Sequence, residues 1–165
     1  MTAGALAERI VAELTRRGER VAVAESLTGG LLTSALVDVP GASAVVSGGV
    51  VAYATPLKAL LLGVDEALLA ERGAIDPDVA AQLASGARER LVLDGRPADH
   101  GIATTGAAGP DPQDGKAPGT VWVGYADAAG ATAELLHLAG DRDAIRRAAV
   151  EGALTLLARR LALIE

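Results

Sequence analysis

Hydrophobic and polar positions alternate between two periods along the chain. Over residues 3–17, Leu6, Ile10, Val11 and Leu14 recur at helical spacing with Gly18 just beyond, which predicts an amphipathic helix. "RVAVAE" (20–25) is a short apolar run that reads as a buried strand, and "GGLLTSALVDV" (29–39) returns to the helical period before Pro40-Gly41. "AVVSGGVVAYA" (44–54) predicts a second strand, interrupted at Gly48-Gly49 by a bulge or a close backbone approach. Thr55 as N-cap and Pro56 at the first helical position open a short helix that ends at Gly63. A further short helix is expected over 65–72, and Asp76-Pro77 opens a long one reaching about residue 91. "DHGIATTG" (99–106) is a third strand, followed by a loop without periodicity, "AAGPDPQDGKAPG" (107–119). Strands over 120–127 and 132–138 around Ala129-Gly130 predict a hairpin. A last helix over 141–164 carries the stripe Val150, Leu154, Leu157 and Leu161.

Helices alternating with buried strands predict an α/β fold, a three-layer α/β/α sandwich around a mostly parallel sheet that the late hairpin makes mixed. Neither a repeat nor a composition shift divides the chain, so its 165 residues are expected to form one domain, 1–165. Composition narrows the chemistry. No apolar run approaches the ~20 residues of a membrane span, and the N-terminal segment is broken by Glu8 and Arg9, which suggests a cytoplasmic protein. The absence of cysteine excludes disulfides, thiolate catalysis and Cys-type zinc sites, and two histidines make a His-rich metal site unexpected. A net charge of −6 and 2% aromatic content argue against a nucleic-acid surface.

Ligands in such folds gather outside the carboxyl ends of the parallel strands. Three segments have that strand-then-loop form: Glu25 to Gly30, Tyr53 to Lys58, and Thr104-Thr105-Gly106 with its loop. Ser26 leaves a strand and precedes a helix, so it serves equally as a helix cap or as a nucleophile beside free N–H groups. The G-x-S-x-G elbow is not met, because Ala24 and Thr28 flank the serine. A Ser-His-Asp triad is disfavoured: His100 falls at the opposite edge, and His137 reads as a half-buried polar residue on a late strand. Among 15 basic residues only Lys58 and Lys116 are lysines, and an amine that can lose its proton is the alternative base. Taken alone, Lys58 reads as a solvated surface residue, and Thr55 in "TPLK" reads as a cap rather than a rival nucleophile. "GPDPQDGK" fails as a phosphate loop, having five residues between its glycines and no Ser or Thr after the lysine. Arg142 opens the last helix, where a cation opposes the helix dipole; it is either an anion clamp or an arginine screened by Asp141 and Asp143.

The segments "AESLTGG", "VPGAS", "GGVVAY....K", "LLGV", "GAI....VA", "TGAAGP", "PGTVWV" and "GDRDAIR" together resemble the C-terminal domain of the CinA family, the PncC-type nicotinamide-nucleotide amidohydrolases. They occur in family order and cover nearly the whole chain. The resemblance implies hydrolysis of the carboxamide of nicotinamide mononucleotide to nicotinate mononucleotide and ammonia. It implies Ser26 as nucleophile, Lys58 as base and Tyr53 as assistant, with Thr28, Gly29, Gly30, Thr105, Gly106 and Arg142 holding substrate. No metal or other cofactor is expected. The expected partners are the small-molecule substrate and a second copy in a dimer, without nucleic acid or membrane. Leu27 stands where the family usually has cysteine, and "DPQDGKAPG" is a variant loop. The N-terminal domain of longer members has no counterpart in these segments, so its activity is not expected. Two other readings of the resemblance remain, a non-catalytic nucleotide-binding regulatory module linked to competence or DNA damage, and hydrolysis of another small amide.

Overall fold

A computed structural model describes residues 1–165. The chain runs α1 (Ala3–Arg17), β1 (Val21–Glu25), α2 (Leu31–Val37), a 3-10 turn (Ala42–Ala44), β2 (Val46–Val51), α3 (Thr55–Leu62), α4 (Glu66–Arg72), α5 (Pro77–Arg90), β3 (His100–Gly106), β4 (Thr120–Asp127), β5 (Gly130–His137) and α6 (Arg142–Arg160). Four helix starts carry side-chain caps, of which Asp76 is the one the sequence marks. Thr2 caps α1, and Asp65, Asp76 and Asp141 accept first-turn N–H groups of α4, α5 and α6. Thr55 is different: it already lies inside the first turn of α3, where its hydroxyl cannot cap, and Ala54 takes the cap position without a side-chain bond.

The strands form one sheet in the order β2-β1-β3-β4-β5. β1 pairs parallel with both β2 and β3, and the β4–β5 hairpin adds two antiparallel strands beyond β3. The sheet is therefore mixed, as the late hairpin predicts. β5 begins at Gly130 with the turn at Ala128-Ala129, and α6 ends at Arg160, short of residue 164. His137 is exposed on the edge strand rather than half-buried.

Alternation along each strand sends large side chains to one face and small ones to the other. Val21, Val23, Ile102, Val121, Val123 and Tyr125 pack under α1, α2 and α6. Ala22, Ala24, Ala103 and Ala126 meet α3, α4 and α5. The small face lets α5 lie almost on the sheet: a Cβ at Gly101 or Gly124 would sit 2.1 or 1.9 Å from the carbonyl oxygens of Ala84 and Ala80. The interrupted register opposite Val21-Ala22 leaves Ser47 as the extra residue of β2, and the next-but-one residue, Gly49, is in close approach to Thr33 of α2. Of the two alternatives expected at Gly48-Gly49, the close approach is found at Gly49, while the bulge falls just before the glycines, at Ser47. No helix is long and apolar enough to cross a membrane.

Candidate active site

The carboxyl ends of β1, β2 and β3 lie together, since Glu25 is in register with both Val51 and Thr104. Outside this edge is a cleft of about 420 Å³. Ser26, Tyr53, Gly106, Gln113 and Arg142 line it, together with the Ala108–Pro112 stretch of the irregular loop.

Ser26 is the first residue past β1, and its N–H still donates to Thr104. The turn that follows is shaped by Glu25, whose carboxylate is buried beneath it. One oxygen accepts from the Thr28 hydroxyl (2.5 Å) and from the N–H groups of Gly30 and Leu32 (3.0 Å each). The other accepts from the N–H (2.8 Å) and hydroxyl (2.6 Å) of Thr33. Glu25 is therefore the cap of α2, satisfying N–H groups that a helix start leaves free. This releases Ser26 from capping.

Lys58 is 1% exposed, not solvated. Its position near the start of α3 explains this, because a helical side chain leans toward the helix N-terminus and here toward the end of β2. Nζ donates to the carbonyls of Ala52 (2.8 Å) and Tyr53 (3.2 Å) and lies 3.0 Å from Ser26 Oγ. Burial pushes its pKa from the usual 10.5 down to about 8, while the Asp114 carboxylate opposes the shift. Once neutral, an amine has two N–H bonds and one lone pair. With both carbonyls taking N–H groups, the lone pair remains for the Ser26 hydroxyl. That is the arrangement of a serine activated by a general base. The other lysine, Lys116, is exposed.

Neither Leu27 nor Thr28 uses its backbone N–H within the protein, whereas Gly29 N–H returns to the Ser26 carbonyl. Two backbone donors without a partner in the protein thus follow the serine, Leu27 at the cleft and Thr28 buried behind it. Tyr53 touches the site in two ways. Its carbonyl holds Lys58, and its hydroxyl, away from the lysine, accepts from Arg142 at 3.1 Å. Arg142 also donates to Gly109 at 2.7 Å. Asp141 caps α6 and Asp143 pairs with Arg147, so neither forms an ion pair with Arg142.

The structure brings Ser26, Lys58, Tyr53, Gly106 and Arg142 together. The Thr28 and Thr105 side chains are turned inward: Thr28 bonds Glu25 and Thr104, and Thr105 donates to the Ala74 carbonyl at 2.6 Å. Gly29 and Gly30 shape the turn without lining the cleft. His100 sits at the far edge, bonded to Glu19 and Tyr125, out of reach of Ser26.

Sequence reasoning left two contributors without a role. Asp114 binds the Ala74 N–H, tying the loop over the cleft to the turn before α5. Arg146 donates from Nε to the Leu27 carbonyl (2.8 Å) and from its terminal nitrogen to the Thr28 carbonyl (3.1 Å). The signal for Arg146 was present: it follows Arg142 by one helical turn and shares its face.

The model of the CinA C-terminal domain matches residues 3–161. A CinA-like protein of Frankia casuarinae is 51% identical over 149 residues, covering 90% of this chain and 33% of that protein. A putative competence-damage inducible protein of Limosilactobacillus reuteri is 41% identical over 155 residues, covering 92% and 36%. The chain spans about a third of the length of these curated relatives. Among solved structures, the competence damage-inducible protein A of Klebsiella pneumoniae superposes with a TM-score of 0.90 at 32% identity over all of both chains. A competence/damage inducible protein of Agrobacterium tumefaciens gives 0.88 at 35%, covering 97% and 95%. The sheet, the layers and the motifs converge with these matches, and the chain belongs to the CinA C-terminal domain family.

Proposed function

We propose that this domain hydrolyses the carboxamide of nicotinamide mononucleotide by acyl transfer through Ser26. The observation that carries the reading is the buried Lys58 amine, 3.0 Å from Ser26 Oγ and within hydrogen-bond reach of two carbonyls that occupy both N–H bonds of its neutral form. Ser26 Oγ attacks the carboxamide carbon while its proton passes to Lys58 Nζ. The carbonyl oxygen becomes an oxyanion held by the Leu27 and Thr28 N–H groups. As the C–N bond breaks, Lys58 returns the proton to the departing nitrogen, and ammonia leaves a nicotinoyl ester on Ser26. Water then attacks this ester, giving a proton to Lys58, and the serine leaves as the acid forms. Every proton is carried by Lys58, and the cycle calls for no metal.

The cleft's charges support the nucleotide. Asp111 and Arg142 both line it. An acid suits a cationic pyridinium ring, and a guanidinium suits a phosphate. The pyridinium also makes the carboxamide carbon more electrophilic. The site is placed in the cytoplasm in this reading, where such nucleotides are recycled.

Ammonia release from nicotinamide mononucleotide tests the proposal. The wild-type protein is expected to turn over, and Ser26→Ala and Lys58→Ala each to lose at least about a thousandfold in kcat. Full activity in Ser26→Ala overturns the nucleophile. Binding of the nucleotide without turnover by the wild type marks a binding module instead, and turnover of a different amide alone revises the substrate.

A further inference from the structure

The Leu27–Thr28 peptide has an arrangement that the chemistry at Ser26 does not by itself account for. Its carbonyl has one partner in the protein, Arg146 Nε at 2.8 Å. The next carbonyl, Thr28, takes the same guanidinium at 3.1 Å and the Leu31 N–H at 3.1 Å. In a trans peptide the N–H points opposite to the C=O, so whatever holds the Leu27 carbonyl also aims the Thr28 N–H. That N–H is one of the two unused donors beside Ser26. No carboxylate forms an ion pair with Arg146, so its charge is left for the turn. A cation bonded to a carbonyl polarises the whole amide and strengthens its N–H as a donor.

We propose that Arg146 is a positioning residue of the oxyanion site, whose guanidinium aims and polarises the Thr28 N–H from behind the peptide. It touches neither substrate nor reacting atoms. The proposal rests on the acyl-transfer reading above and extends it to a residue on a different element. α6 then serves the site twice, with Arg142 at the mouth of the cleft and Arg146 behind the nucleophile turn.

The experiment compares wild type with Arg146→Ala, Arg146→Gln and Arg146→Lys in ammonia release and in labelling of Ser26 by a phosphonofluoridate. In that labelling the Ser26 oxygen bonds phosphorus, fluoride leaves, the serine proton passes to Lys58, and the phosphoryl oxygen occupies the oxyanion position. Arg146→Ala is expected to lose about 10- to 100-fold in kcat and in labelling rate, with KM within about twofold of wild type. The pH midpoint set by Lys58 is expected to stay in place. Arg146→Lys and Arg146→Gln should fall between, and added guanidinium should restore part of the Arg146→Ala rate where tetramethylammonium does not. Unchanged kcat and labelling, a loss confined to KM, a displaced pH midpoint, or equal rescue by both cations each overturns the proposal. If Arg146→Ala fails to fold, the folded Lys and Gln variants decide by the same readouts. Labelling of wild type with no change in any variant removes only the Arg146 role. Failure of wild type both to label and to release ammonia removes the acyl-transfer reading and this proposal with it.

Discussion

At the scale of single residues, the decisive group is Lys58. Its pKa of about 8 arises from burial, and the charged form is the one the fold disfavours. A base acts when unprotonated, so kcat/KM is expected to rise with pH through about 8 with a slope of one proton, then level. Stability has a linked dependence. Between about 8 and the ordinary 10.5 the unfolded chain holds a proton that the folded chain has lost, so stability rises with pH across this window. Below it the buried charge weighs on the fold in full. Lys58→Met is therefore expected to abolish turnover yet raise stability at pH 7 by about 1–3 kcal/mol, an advantage that shrinks as pH rises from about 8 to 10.5. Urea titrations of both proteins at pH 7 and pH 10.5 check this. A variant less stable than wild type at pH 7 contradicts it.

At the scale of elements, the seven-residue α2 has too few turns to hold itself. It is held by the end of β1, through the five hydrogen bonds that Glu25 accepts. Strand, Ser26 turn and helix are thus one unit, and the serine inherits its position from the residue before it. Glu25→Ala removes the shared acceptor and leaves buried N–H and hydroxyl groups unsatisfied. It is expected to destabilise the protein by about 3–5 kcal/mol and to lose activity with the turn, as read by denaturation and ammonia release. Glu25→Gln retains one acceptor oxygen and should lose less. An exposed-site effect below about 0.5 kcal/mol in Glu25→Ala contradicts the capping role. α3 shows the same economy: its start carries no side-chain cap, and its first turns instead deliver Lys58 to the carbonyls at the end of β2.

At the scale of the whole molecule, four exposed apolar side chains, Val51, Tyr53, Leu60 and Leu61, belong to β2, α3 and the link between them, and Leu60 is 72% exposed. β2 is also an edge strand. We propose that this side pairs two copies of the domain, since an uncovered patch of this kind beside a free strand edge is what a symmetric interface covers. Light scattering at micromolar concentration is expected to give twice the chain mass, and Leu60→Glu to give one. A monomeric wild type contradicts the proposal.

Much of this architecture was legible from spacing. The helical stripe of Leu6, Ile10, Val11 and Leu14, the Asp76-Pro77 start and the strands read at 20–25 and 99–106, each within a residue of the observed start, follow from local periodicity and turn chemistry, which depend on neighbours in sequence. The motifs carried the family, and the two-lysine count pointed to Lys58. Spacing left open what depends on neighbours in space. Ser26 stood evenly between cap and nucleophile until Glu25 took the cap. Lys58 read as solvated until α3 folded it under the end of β2. Thr28 and Thr105 read as substrate contacts, and their hydroxyls are occupied within the protein. The sequence by itself determined the elements, the family and the residues from which a site is made. The tertiary structure decided burial and hydrogen-bond partners, because desolvation and pairing are set by contacts between residues far apart in the chain, 119 positions in the case of Arg146 and Leu27.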